Sequence, residues 1–172
     1  MYILRLFSIF TIFLFTIVST AQEGWMVGLG PTGTSSLVGG NIRAYIGTSP
    51  VFCFGPEISV FPYQMSNPGY ETSLFELNLN AHYVFEVAHR FGVYPLSGFN
   101  YTNEKERLLL DTEEVEKHSA FGFNYGFGAH YSINRVMLFA EFKGVAGELS
   151  DEFFTLGAIV LLKKPQKKSH HE

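Results

Sequence analysis

Residues 120–131 read Ala-Phe-Gly-Phe-Asn-Tyr-Gly-Phe-Gly-Ala-His-Tyr. Phe121, Phe123, Tyr125, Phe127, Ala129 and Tyr131 form one alternate set. Ala120, Gly122, Asn124, Gly126, Gly128 and His130 form the other. A period of two marks a β-strand, because successive side chains point to opposite faces. One face here is large and apolar, and the other is small or polar. A half-buried strand of a soluble protein carries Lys, Glu and Thr outward; glycine and asparagine suit a crowded interior. The stretch therefore predicts a strand with its bulky face toward lipid and its thin face toward the lumen of a barrel.

The same pattern recurs along the chain. Trp25, Val27, Leu29 and Pro31 alternate with Gly24, Met26, Gly28 and Gly30. Val38 to Ile46 sets Gly39, Asn41, Arg43 and Tyr45 on the thin face, and Val51 to Val60 sets Cys53, Gly55, Glu57 and Ser59 there. Phe75 to Phe85 offers Glu76, Asn78, Asn80 and His82, and Val136 to Lys143 offers Met137, Phe139, Glu141 and Lys143. Two further segments, Phe91–Tyr101 and Phe153–Leu162, are strand-like but do not reveal their inner faces. The total is eight strands, most near the ~9–11 residues that cross a bilayer when tilted.

The gaps between them are Thr32–Leu37, Gly47–Pro50, Tyr63–Leu74, Glu86–Arg90, Thr102–His118, Ser132–Arg135 and Ala146–Glu152. They alternate longer and shorter, as the outer loops and periplasmic turns of a membrane barrel do. This phase puts both chain ends in the periplasm.

Met1–Ala21 supplies the export signal such a location needs. It has one cation, Arg5, an apolar run from Leu6 to Val18, and Ser19-Thr20-Ala21 before the expected cut. The run falls short of the ~20 apolar residues of a membrane helix. No Cys near the cut offers a lipoprotein anchor, and the single Cys53 excludes an intramolecular disulfide. Residues 22–162 are then the barrel domain, and 163–172 a basic periplasmic tail. Removing the leader takes away Arg5 alone and leaves 11 basic against 16 acidic residues, a balance that disfavours a nucleic-acid partner.

The segments Leu77–Phe85, Tyr94–Tyr101, Phe121–Ala129 and Phe139–Lys143 resemble the small eight-stranded outer-membrane β-barrel proteins of Gram-negative bacteria, the OmpA/OmpX-like barrel domain. The resemblance implies an all-β, up-and-down antiparallel transmembrane barrel in the outer membrane, with membrane lipids and the barrel insertion machinery as partners. It implies no activity. Such chains often end on an aromatic residue; here the last strand closes on Leu161-Leu162, followed by Lys163-Lys164-Pro165.

Arg43, Glu57, Glu76, His82, Asn124, His130, Glu141 and Lys143 fall on thin faces and form the expected polar network of the lumen. Charges in a low-dielectric interior need partners, and Arg43 with Glu57, and Lys143 with Glu76 or Glu141, supply them. Eight strands enclose just enough space for side chains, so the network is expected to plug the barrel. The His and Glu residues lack ligand spacing such as His-x-His, and neither metal nor cofactor is expected. His118-Ser119 does not by itself make a catalytic pair, and no phosphate-binding glycine loop opens a helix. The expectation is a non-enzymatic protein with a structural or surface-interaction role. The alternatives are a secreted lipocalin-like barrel, with an apolar interior and charged exterior, and a lipid-modifying barrel enzyme.

Thr102–His118 holds Glu104, Glu106, Asp111, Glu113, Glu114 and Glu116 against Lys105, Arg107 and Lys117, around Leu108-Leu109-Leu110. It reads as an exposed contact site for an extracellular partner or, more simply, as flanking strands extended into a charged hairpin. The lysines of the tail, Lys163, Lys164, Lys167 and Lys168, have the charge to meet anionic lipid.

Overall fold

The computed structural model describes residues 24–49, 51–109 and 115–162. The expected leader and basic tail, and residues 110–114 of the longest connection, lie outside the described residues.

The strands are β1 (Gly24–Gly33), β2 (Val38–Ser49), β3 (Phe52–Asn67), β4 (Tyr70–Tyr83), β5 (Phe85–Ala88), β6 (Phe91–Leu108), β7 (Val115–Ile133), β8 (Val136–Gly147) and β9 (Glu152–Leu161). Each pairs antiparallel with its neighbours, except that β4 and β5 both pair with β6 and act as one interrupted stave. The break falls at Val84, whose N–H is donated across to the Val51 carbonyl. β1 pairs with β9, so the sheet closes into an eight-staved barrel in up-and-down order. Closure leaves no unpaired edge around the wall.

Three expected connections prove to be largely strand. The gap Tyr63–Leu74 shrinks to a tight turn at Gly69 (φ 92°), Glu86–Arg90 to a turn at Arg90 (φ 68°), and Thr102–His118 to the hairpin between Leu108 and Val115. Polar composition does not stop a ladder. Glu71 faces Arg107 and forms an ion pair with it at 2.6 Å, so the paired strands continue beyond the apolar band. The alternation of turn lengths persists in weaker form. Both described chain ends lie at the short-turn end, where Asn134 takes the left-handed conformation that asparagine tolerates.

Side-chain parity follows the sequence. Phe121 is 82 % exposed, Phe99 70 % and Phe127 66 %, all on the outer surface. Cross-strand aromatic pairs cover this face, including Tyr101–Phe121 at 5.2 Å and Phe127–Phe142 at 5.8 Å.

The interior is layered, and β8 reads the layers in order. Met137 and Phe139 join Met26, Tyr45 and Ile159 in an apolar cluster near the short-turn end. Glu141 and Lys143 then point into a polar middle. Val145 joins Leu37, Phe61, Leu74 and Phe153 in a second apolar cluster near the long-hairpin end. This layering explains the two unassigned segments. The inner face of β6 carries Tyr94, Leu96, Asn100 and Thr102, and that of β9 carries Phe153, Thr155 and Ile159. Bulky residues stand inside wherever a strand crosses an apolar layer, so the size rule fails there.

Candidate functional site

The middle of the lumen is built from thin-face residues of β2, β3, β4, β6, β7 and β8. Arg43 lies at its centre. Its guanidinium meets Glu141 at 3.0 and 3.2 Å and Glu57 at 3.4 Å. Arg43 Nε donates to Asn41 at 2.8 Å, and the guanidinium lies 4.2 Å from the Phe139 ring centre. Glu141 also accepts from the Tyr94 hydroxyl at 3.1 Å. Glu57 accepts from the Tyr45 hydroxyl and, at 2.9 Å, from Asn80. His82 is 3.1 Å from the Tyr45 hydroxyl, stacks on Tyr94 at 4.7 Å, and lies 3.9 Å from Glu141.

A second pair stands beside the first. Lys143 Nζ reaches both oxygens of Glu76, at 3.2 and 3.0 Å, and lies 4.6 Å from the Phe153 ring centre. Asn100 donates to Glu76 at 2.9 Å and to Asn78 at 2.8 Å. Asn124, fully buried, donates to Asn78 and Asn80 at 2.9 and 2.7 Å and links the two groups. Three buried carboxylates thus face two buried permanent cations, with His82 the remaining base in contact.

Seven of the eight residues singled out from the sequence are brought together here. His130 is not: opposite Gly92, it lies nearer the short-turn mouth, with its ring 6.1 Å from Tyr94. It shares a cavity of about 230 Å³ there with His82, Tyr45, Tyr94, Cys53 and His89. Glu141 pairs with Arg43 and Glu76 takes Lys143, which settles the choice of partner left open by the sequence. Tyr45, Asn78 and Asn80 were legible by the same parity, whereas Asn100 lies on Phe91–Tyr101, whose inner face the sequence leaves open. Tyr94 carried no such signal, because its strand mixes large and small residues inside.

Glu57, His82 and Glu141 bring donor atoms within 4.8 Å of one another, a composition that could hold a metal ion. Their oxygens are, however, already engaged by Arg43, Tyr45, Tyr94 and Asn80, and a cation would have to displace the guanidinium. The residues do not fit a metal centre as they stand.

Above the apolar layer at the long-hairpin end the groups are acidic. Burial, then the neighbouring Glu106 carboxylate, raises the pKa of Glu104 above its ordinary value, with His118 opposing. Burial likewise raises Asp151, against the Glu152 N–H that bonds its carboxylate.

No family model and no curated protein matches this chain. Solved structures do. The N-terminal β-barrel domain of Pseudomonas aeruginosa OprF is 16 % identical, with a TM-score of 0.63, over 83 % of this chain and 100 % of that one. OprG from the same species is 9 % identical, with a TM-score of 0.62, over 84 % and 98 %. Ail, the attachment invasion locus protein of Yersinia pestis, is 14 % identical, with a TM-score of 0.59, over 82 % and 100 %. The closed barrel, its strand order and these likenesses agree: the chain has the fold of the small eight-stranded outer-membrane β-barrel proteins.

Proposed function

We propose that this chain is an integral outer-membrane protein of a Gram-negative bacterium, non-enzymatic, with a structural or cell-surface interaction role and a lumen closed to ions. The observation that carries this reading is the inversion of a soluble protein's surface: aromatic rings outside, ion pairs inside. A secreted ligand carrier needs the opposite, since exposed apolar patches of this extent do not persist in water. The same inversion favours membrane lipids as the partner of the outer wall, and insertion by the cellular barrel machinery after removal of Met1–Ala21. The basic tail 163–172 would then emerge in the periplasm.

Two apolar layers and the ion pairs between them support the closed lumen. That Ail has been crystallised with the heparin analogue sucrose octasulfate supports surface contact as a role for barrels of this fold. In this chain Thr102–His118 is the segment for an extracellular partner.

Fractionation and conductance test the reading together. The protein should remain with the membrane until detergent is added. Reconstituted in a planar bilayer it should give no large, stable conductance. Recovery in the soluble fraction would overturn the membrane assignment, and steady porin-sized steps would overturn the plug. An epitope inserted at Gly69 should be labelled on whole cells and one at Asn134 should not; the reverse pattern would invert the topology. Lipid A of unchanged mass in cells with and without the protein is expected, and a mass shift would favour the lipid-modifying enzyme.

A further inference from the structure

Among the described residues the β6–β7 hairpin sorts its carboxylates and its Lys and Arg side chains onto two faces. From residue 104 onward the chain reads Glu-Lys-Glu-Arg, and the returning strand reads Glu116-Lys117-His118. The register between the strands is unbroken: Glu104 opposes His118, Lys105 opposes Lys117, and Glu106 opposes Glu116. Even-numbered residues continue the lumen side, since Thr102 is buried and Glu106 accepts from the buried Thr72. Odd-numbered residues continue the outer side, above Phe99, Tyr101, Phe121 and Phe123. The acids therefore stand over the mouth of the barrel, and the cations stand on the wall.

Lys105 directly opposite Lys117 is an unfavourable pair by itself, because like charges facing each other across strands destabilise a ladder. Among the described residues no carboxylate lies within 4.0 Å of either amine, whereas nearby Arg107 is already held by Glu71 at 2.6 Å. The two rows Tyr101–Phe121 and Lys105–Lys117 are four residues apart, about 14 Å of strand at ~3.4 Å per residue. With the usual ~40° tilt that is roughly 10 Å along the membrane normal. The headgroup zone on each side of a bilayer is ~5–8 Å deep, so lysine stems that bend back toward the aromatic row bring their ammonium groups into it.

We propose that the outer face of the β6–β7 hairpin binds the anionic headgroups of the surrounding leaflet, with Lys105 and Lys117 sharing a headgroup phosphate above the Tyr101–Phe121 pair. The phosphate takes the place that no carboxylate among the described residues fills, and turns the like-charged rung into a bridged one. The hairpin is thereby fixed at a set height, and its acidic face is held over the mouth. This inference rests on the proposed membrane location.

The test uses the full-length mature chain folded into phosphatidylcholine bilayers, with phosphatidylglycerol titrated in and bound lipid counted by native mass spectrometry. Heat-modifiable gel migration reports folding in every sample. The wild type should retain phosphatidylglycerol in preference to phosphatidylcholine. Each cation at an anionic surface is worth about fivefold in affinity, so Lys105→Gln with Lys117→Gln should weaken retention roughly 25-fold. Glu106→Gln, on the opposite face, should not weaken it. A folded wild type without preference, or a double variant that retains the lipid like the wild type, would overturn the proposal and leave the membrane location intact. Full displacement of the lipid by millimolar inorganic phosphate would also overturn it, pointing to a free-anion site. A wild type that does not enter the bilayer at all would overturn both.

Discussion

Replacing Arg43 with Met should be among the most damaging single changes in the lumen, and replacing Glu141 with Gln much less so, although both alter the same contact. Arg43 meets Glu141 at 3.0 Å and Glu57 at 3.4 Å, with all three residues at most 3 % exposed. Methionine leaves both carboxylates without their cation and turns three acids against two bases into three against one. Stripping the partner from a buried charge costs about 3–5 kcal/mol. Glu141→Gln keeps an oxygen for the guanidinium and leaves two acids against two bases. Its cost is a weakened charged hydrogen bond, about 1–2 kcal/mol. Combining Arg43→Met with Glu57→Gln and Glu141→Gln removes these three charges, leaves only the balanced Glu76–Lys143 pair, and should recover most of the loss, since a neutral replacement of similar volume is often tolerated. Urea titrations in lipid vesicles measure this, followed through Trp25, the only tryptophan, half-exposed on the outer wall. Equal losses in the two single variants, or a triple variant no better than Arg43→Met, would refute the view that charge balance governs this cluster.

Phe123→Arg, in the aromatic band, should cost about 2–4 kcal/mol in a bilayer, and Ser119→Arg, on the same face four residues further out, under about 1 kcal/mol; equal costs in the same titration would contradict the depth assignment. Gly128→Ala would drive a methyl group into the Tyr94 ring, costing about 1–3 kcal/mol by overpacking, and Tyr94→Leu in the same chain should relieve part of it. Glu104 has its pKa raised in the fold, so the folded state holds its proton more tightly and stability falls as pH rises through that group's titration. Glu104→Gln should therefore stabilise the protein at neutral pH and have no effect at pH values where ordinary carboxylates are protonated, as read from unfolding midpoints across pH.

The alternation of Phe121 to Tyr131 against Ala120 to His130 was enough to determine the strand, its faces and the class of fold. That is because pleating gives every second residue the same environment, and here the two environments differ in size and polarity. The thin-face charges were legible for the same reason, and parity alone put Arg43, Glu57, Glu76, Glu141 and Lys143 inside. Strand ends were less legible: a ladder held by rungs such as Glu71–Arg107 continues through polar sequence, while composition marks only where the apolar band stops. Parity also says nothing of height along the barrel axis. His130 and His82 look equivalent in sequence, yet one stands at the mouth and the other beside Glu141. Only closure of the sheet, with β1 against β9, sets the stagger that brings together Arg43 and Glu141, 98 positions apart in the chain. The same stagger stacks Met137, Phe139, Ile159 and Phe153 into apolar layers above and below the ions. Which carboxylate each cation meets is a property of register summed around the whole barrel, and no single strand carries it.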